Sequence, residues 1–449
     1  MPEQGPAPYG DESSHRRRTP VPDAPGRARP VARHGRLPRR RAWTTLLSVV
    51  ASAAAVLLVS GTSVAAIAGA QLAAAPQTVQ LSTDDQSTAE TADVTAIEGG
   101  ANILLIGSDT RVGQFDSDED VEGARNDVTM LVHVSEDHQQ LTAVSFPRDL
   151  MVPIPACTNP ETGTTYPAAE SAQFNTALGN GGVSCVVDTV ENLTGLTVPY
   201  AGLITFDGVI EMSNALGGVD VCVATPIDDT FTGLHLTAGA HSLQGSDALA
   251  FLRSRHGVGD GSDLARISSQ QVFLSALLRQ VTADGTLSNP ITLYKLAGAA
   301  LSNMTLSDGL AQTRTLVGLA STLRGMSTSS MLFVQYPVVD DPADAARVVV
   351  DEAAAHTLNV ALQTDERTSL SDSSTGRASQ ESSDTETPAP SASPSDAAPS
   401  DAATAATAAP SASATPDGQT TTTSSPSSTP LPSSISGQSA AEETCSVGN

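Results

Sequence analysis

The segment Phe251–Gln271, FLRSRHGVGDGSDLARISSQQ, gathers charged side chains at spacings that can do chemistry. Arg253 and Arg255 stand two apart, so an extended backbone would point both guanidinium groups to one side. The residues that follow predict a helix from about Ser262 to Val281. On it, Asp263, Arg266 and Gln270 fall within an arc of about 60° at roughly 100° per residue. Leu274, Leu277 and Val281 continue the same stripe. One helix face therefore begins cationic and ends apolar, which suits a ligand with an anionic head and a hydrocarbon tail.

More charges stand at the ends of short apolar runs. Asp109 follows NILLIG in GSDTR, Arg125 and Asp127 precede VTMLVHV, and Arg148-Asp149 follow LTAVSF. Strand ends along one rim are where α/β folds build sites. The guanidinium groups suit bidentate contact with phosphate. Asp109 and Asp127 suit a hard divalent cation such as Mg²⁺, which takes one or two carboxylates together with phosphate oxygens and water. No GxSxG, HExxH or Walker loop is present, and neither His133 nor His256 has a Ser or Cys partner in sequence, which argues against a hydrolase triad.

These residues need a scaffold, and the chain divides sharply by composition. Of 449 residues, 16% are charged and 39% hydrophobic, with a net charge of −26. Residues 1–45 hold ten arginines against four acids, and the rest is strongly acidic. A body so acidic gains nothing from counterion release, which argues against nucleic acid as a partner. The apolar run Leu46–Ala68 is long enough to cross about 30 Å of hydrocarbon as a helix. Arg39, Arg40 and Arg41 abut its N-terminal side and place that side in the cytoplasm. The expectation is a single-pass anchor in the cell membrane, with the C-terminal domain extracytoplasmic.

The predicted organisation is a leader over 1–45, an anchor over 46–68, a stalk over 69–98, a domain over 99–362 and a disordered Ser/Thr/Ala/Pro-rich tail over 363–449. Within the domain, strands alternate with helices: a hairpin of 128–134 with 141–146, and a helix over 185–193. A second helix runs to Leu216, capped by Asp207. Next come a strand at 219–223, a helix capped by Ser246, a strand at 331–338 and a last helix over 342–362. That alternation predicts one α/β/α layered domain with a central mixed sheet. Cys157, Cys185, Cys222 and Cys445 include no CxxC, so disulfides are permitted and zinc is disfavoured. Cys157 and Cys185 flank one Gly/Pro/Thr-rich loop, the shortest to close. Cys222 and Cys445 would then pair or stay free.

In these segments the chain resembles the LytR–CpsA–Psr family of cell-envelope proteins, of actinobacterial type. The resemblance rests on NILLIGSDTR (102–111), GARNDVTMLVHV (123–134), SFPRDL (145–150), FNTALGNGG (174–182), VENLTGLTV (190–198), GGVDVCV (217–223) and the 251–271 segment. It implies a Mg²⁺-dependent phosphotransferase that moves a glycopolymer from a polyprenyl-diphosphate carrier onto peptidoglycan. It further implies that Asp109 and Asp127 hold the metal, and that Arg125, Arg148, Arg253, Arg255 and Gln270 bind the diphosphate. Asp263 and Arg266 would then lie at the reacting centre, and Leu274, Leu277 and Val281 along the lipid tail. Two positions depart from the family pattern: Gln173 where a lysine is usual, and Asn126 where a small hydroxyl residue is often found. The alternative they leave is an envelope protein that binds polyprenyl phosphate or glycan with weak catalysis.

Overall fold

The computed structural model describes residues 77–81, 99–108, 125–159, 162–282, 290–371, 375–382 and 428–449. All belong to one compact unit, Ile67–Asn449. The predicted leader and anchor, Asp109, and most of the predicted stalk lie outside these residues. Among the described residues no helix is long and apolar enough to cross a membrane.

Eight strands form a mixed central sheet: β1 (Gln77–Val79), β2 (Ala101–Ser108), β3 (Asn126–Val134), β4 (Leu141–Phe146), β5 (Tyr200–Ile204), β6 (Met304–Ser307), β7 (Met331–Gln335) and β8 (Gly437–Ser439). Their order is β1-β6-β5-β2-β3-β4-β7-β8. The predicted hairpin is present, with β3 antiparallel to β4 from Thr129 opposite Phe146 to Val134 opposite Leu141. Alternating residues of β2 split between two cores, as the period of two requires. Leu104 and Ile106 face one layer and Ile103 the other.

Helices α1 (Ala177–Thr194), α2 (Phe206–Leu216), α3 (Ser246–Arg253), α4 (Asp263–Thr282), α5 (Pro290–Asn303), α6 (Thr313–Gly325) and α7 (Glu352–Gln363) complete the described framework. On one face Val186, Val187 and Val190 of α1 and Leu358 of α7 pack with Leu104, Leu131 and Val144. On the other, Leu274 and Leu278 of α4, Leu301 of α5 and Leu316 and Leu319 of α6 are only partly buried against Met130, Ala143 and Phe333. A second sheet orders Gly239–Leu243, Val219–Val223, Thr444–Ser446 and Ser379–Glu381. Its core includes Val219, Val221 and Val223 and touches α4 through Ala265, Phe273 and Ala276. Helix α4 is thus packed between two cores, which is why nearly all of its first fourteen residues are buried.

Several local expectations are corrected. The helix expected over 342–362 begins only at Glu352, behind a hairpin that pairs Val338–Asp340 with Val348–Val350. Asp341 and Asp344 accept from the amides of Ala343 and Ala346 at 2.8 and 2.9 Å, a turn geometry that competes with helix. Valines 348–350 then favour a strand, and Asp351 is the true cap, accepting from Ala354 N at 3.3 Å. Thr205, not Asp207, caps α2 by accepting from Gly208 N at 3.3 Å. Gly245 rather than Ser246 stands at the α3 N-terminus, without a side-chain cap. Helix α1 starts at Ala177, ahead of the expected 185, and contains a kink at Gly181-Gly182.

The expected disordered tail over 363–449 is corrected wherever it is described. β8 pairs with β7, from Leu332 opposite Ser439 to Val334 opposite Gly437. Thr444–Ser446 joins the second sheet, parallel to Cys222-Val223. Cys222 and Cys445 form a disulfide, as do Cys157 and Cys185. Small polar residues suffice here because each strand borrows a partner and an apolar face from the domain. Ile435 and Ala440 are both buried against it. Residues 383–427 lie outside those described.

Candidate functional site

The turn after β4 and the first turn of α4 meet through one carboxylate. Ser262 Oγ caps α4 by accepting from Ala265 N at 3.2 Å, which sets Asp263 in its first turn. Asp263 Oδ2 accepts the backbone N–H of Arg148 at 3.2 Å. Its Oδ1 lies 2.6 Å from Arg266 Nη2, and both side chains are almost fully buried. Arg266 Nη2 also donates to the carbonyl of Asp127 at 2.8 Å, tying α4 to the start of β3. Arg148 closes the group by donating from Nη1 to Asp127 Oδ1 at 2.7 Å.

Arg148 is the electrostatic centre. Its Nε lies 3.7 Å from both Asp149 Oδ2 and Asp263 Oδ1, within ion-pair range but beyond a hydrogen bond. Burial works against its charge. The hydrogen bond to Asp127 and the charges of Asp263, Asp127 and Asp149 outweigh burial, and its pKa is raised. The Nε atoms of Arg148 and Arg266 are buried and find no acceptor. Two N–H donors held without acceptors in a partly buried site call for an anion, since an unpaired buried donor is unfavourable.

Beside this group opens a cleft of about 350 Å³, lined among others by Asp149, Arg255, Asp263, Asp341, Arg347 and Arg377. Gln173 Nε2 donates to Asp149 Oδ1 at 2.6 Å, and Arg347 Nη1 lies 3.5 Å from the same oxygen. A cation therefore stands near the neutral Gln173 after all. Asn126 is fully buried and donates to Thr129 Oγ1 at 2.9 Å, a structural role within β3.

The sequence-predicted residues separate into groups. Asp127, Arg148, Asp263 and Arg266 touch one another, and Arg255 shares the cleft with Asp263. Arg253 ends α3 and lies with its guanidinium 4.4 Å from the Phe206 ring centroid. Gln270 is buried and donates to Leu252 O at 2.8 Å, bracing α3 from behind. Arg125 is exposed. Of the apolar stripe, Leu274 packs against both cores, whereas Leu277 packs against the second-sheet core. Leu278, not anticipated, faces the loosely covered layer under α5 and α6. Val281 is partly buried near the end of α4.

Sequence reasoning missed Asp229, a buried residue at the end of the short strand Ile227–Asp229. Its Oδ2 accepts from Ser254 Oγ, Arg255 N and Gly257 N at 2.8, 3.1 and 3.2 Å. Its Oδ1 accepts from Phe231 N and Thr232 N at 3.0 and 3.3 Å. One carboxylate thus shapes the backbone that carries Arg255. Nothing in sequence separates it from neighbouring Asp228. Arg347 and Arg377 were hidden in a predicted helix and a predicted tail.

For a divalent cation the test falls on Asp127. Its Oδ1 is taken by Arg148, while among the described residues no hydrogen bond reaches Oδ2. One open carboxylate oxygen beside a cluster of arginines is a donor of the kind Mg²⁺ takes, since that ion binds through one or two carboxylates. Among the described residues no group of three or more His, Cys, Asp or Glu stands ready to hold a metal.

Compared with known proteins, the chain matches the LytR_cpsA_psr family model over residues 65–364. It is 30% identical over 285 residues to the cell wall biosynthesis protein LcpA of Corynebacterium glutamicum, a match covering 58% of this chain and 54% of LcpA. It is likewise 30% identical over 254 residues to the polyisoprenyl-teichoic acid–peptidoglycan teichoic acid transferase TagT of Bacillus subtilis, covering 55% of this chain and 73% of TagT. The chain spans about half the length of the first curated relatives it matches, 54% of LcpA and 49% of LcpB. Among solved structures, the LytR-Csp2A-Psr enzyme from Actinomyces oris aligns at 24% identity with a TM-score of 0.46, over 64% of this chain and 96% of that one.

Proposed function

This chain belongs to the LytR_cpsA_psr family, and from that membership we propose that it transfers a glycopolymer from a polyprenyl-diphosphate carrier onto peptidoglycan. The observation that carries the reading is a cleft lined by Arg255, Arg347 and Arg377, joined through Asp263 to Arg148 and Arg266, whose Nε–H groups are buried without acceptors. The diphosphate lies in that cleft against Arg255, with Arg148 and Arg266 behind its wall at Asp263. Arg253, Arg125 and Gln270 support its surroundings rather than touching it directly.

The reaction needs one new P–O bond. An acceptor hydroxyl oxygen attacks the phosphorus that bears the glycopolymer, the bond to the bridging oxygen breaks, and polyprenyl phosphate leaves. Asp263, at the cleft wall, orients the hydroxyl and receives its proton. Arg148 and Arg266 stabilise the charge that develops on the phosphoryl oxygens, the main demand of phosphoryl transfer. Asp127 through Oδ2, with Asp109, would hold a Mg²⁺ ion, which when bound neutralises phosphate oxygens. The polyprenyl chain runs over the loosely packed layer that includes Leu274 and Leu278. The run Leu46–Ala68 anchors the chain in the cell membrane, with the domain outside.

The test is release of polyprenyl phosphate from a synthetic polyprenyl-diphosphate glycan, in the presence of peptidoglycan fragments and with or without Mg²⁺. Release that requires both acceptor and metal supports the reading. A folded protein that binds the donor yet releases nothing leaves only carrier binding.

A further inference from the structure

The loop from Ser254 to Gly261 presents Arg255 to the cleft, yet it makes few backbone hydrogen bonds of its own: Gly261 N to Val258 O at 2.9 Å, and a long one from Val258 N to Arg255 O at 3.5 Å. Its shape is borrowed from two sides. Asp229 holds the inner side through the amides of Arg255 and Gly257. The outer side is held by residues beyond the family-matched region, which ends at 364. Asn449 N donates to Gly257 O at 3.0 Å, and Asn449 Nδ2 to His256 O at 3.1 Å. Gly259 N donates to Val447 O at 2.9 Å, and Val447 N to Ala378 O at 2.9 Å. Arg377 Nη1 bonds Asp260 Oδ2 at 3.0 Å and itself lines the cleft with Arg255 and Asp263.

The fit is close. Gly259 has φ +49°, and a Cβ there would lie 2.8 Å from both Ala378 Cβ and Arg377 O. A Cβ on Gly448 would come within 1.9 Å of Pro226 O. Gly448 N also donates to Thr225 Oγ1 at 2.8 Å, and the Cys222–Cys445 disulfide pins the strand just before it.

We propose that residues 376–378 and 447–449 form a clasp that positions Arg255 for the diphosphate, so that the anion-binding unit of this chain extends beyond the family-matched region. The clasp rests on the transferase reading for its ligand. Arg377 and Asn449 are positioning residues, and Gly448 is the point at which the clasp can be opened by one methyl group.

The experiment uses the full chain and inorganic pyrophosphate with Mg²⁺ in isothermal titration, with melting temperatures measured alongside. Gly448→Ala should weaken pyrophosphate binding roughly tenfold, the scale of one lost charge-assisted contact. Asn449→Ala and Arg377→Ala should weaken it in the same direction by less. In an Arg255→Ala background, Gly448→Ala should change affinity less than about twofold, because coupled residues are non-additive. Wild-type affinity in Gly448→Ala, or a loss fully additive with Arg255→Ala, overturns the clasp. If Gly448→Ala does not fold, undiminished affinity in Asn449→Ala overturns it instead. A wild-type protein that binds no pyrophosphate and releases no polyprenyl phosphate sinks the transferase reading. The clasp is then decided by amide exchange in Asn449→Ala: faster exchange at Gly259, with Gly257 still protected by Asp229, upholds it, and unchanged exchange refutes it.

Discussion

Replacing Asp229 with asparagine changes one oxygen to an NH₂ group and little else in shape. The carboxylate accepts five hydrogen bonds. If the amide oxygen takes the Oδ2 place, its NH₂ faces the amides of Phe231 and Thr232 and both bonds are lost. If it takes the Oδ1 place, the amides of Arg255 and Gly257 lose their acceptor. Either way at least two bonds to a charged group disappear, each worth about 1.5–3 kcal/mol, so destabilisation of about 3 kcal/mol is the low end. For a domain of this size that lowers the melting temperature by roughly 5 °C. The effect also has a pH signature. Burial by itself would raise the Asp229 pKa, but the bonds from Ser254, Phe231, Gly257 and Arg255 outweigh it and hold it below the ordinary 3.8. A carboxylate depressed in the folded state stabilises fully above its unfolded pKa, and that contribution is lost as pH falls through the folded value. Thermal melts of wild type and Asp229→Asn should therefore differ most at neutral pH and converge in acid below 3.8. Melting temperatures within about 2 °C at neutral pH, against that several-degree expectation, would refute the keystone role.

Asp127→Asn keeps the acceptor for Arg148 but loses the charge, so Mg²⁺-dependent turnover should fall at least about a hundredfold while thermal melting stays near wild type. Leu278→Gln should weaken a long-chain polyprenyl diphosphate more than a short-chain analogue, since each CH₂ withdrawn from water is worth about 0.8 kcal/mol. Leu277→Gln, set against the second-sheet core, should instead lower the melting temperature and affect both ligands alike. Cys445→Ser opens a link across a sequence separation of 223 residues, and calorimetry should find a loss of about 2–5 kcal/mol, the usual range for a native disulfide.

The layered α/β architecture and the main hairpin were legible because alternating apolar runs at a period of two demand a sheet covered on both faces. The charged group was legible for the same reason: Asp127, Arg148, Asp263 and Arg266 each stand at the end of an element, where the chain must converge. What stayed hidden depends on partners far away in sequence. The 437–439 strand, GQS, has no strand signature of its own and forms because β7 offers an open edge. The 342–347 turn reads as helix in sequence because Asp-initiated turns and helix caps use the same residues. Leu277 and Leu278 pack against different cores because α4 is covered on two sides. A single stripe cannot say which core a buried helix residue faces.

On the transferase reading, the charge arrangement explains why carboxylates stand among the arginines proposed to meet the diphosphate. Arg148, Arg255 and Arg266 face Asp127, Asp149 and Asp263, three charges against three. Asp127 and Asp263 orient the guanidinium groups of Arg148 and Arg266, the Gly261 carbonyl takes Arg255 Nε, and the raised pKa of Arg148 reflects its pairing. A diphosphate joined to a lipid at one end and a sugar at the other brings two negative charges into a cluster already balanced. At an effective dielectric constant near 20, two unit charges 4 Å apart interact by about 4 kcal/mol, so the surplus is not trivial. Arg148 and Arg266 absorb little of it while they remain paired with aspartates. Asp127, whose Oδ2 accepts no hydrogen bond among the described residues, would hold a divalent cation, and its two positive charges would restore neutrality. On these grounds the aspartates are more than competitors for arginine. Asp127 and Asp263 set the orientation of Arg148 and Arg266, and Asp127 is the carboxylate that would take the cation.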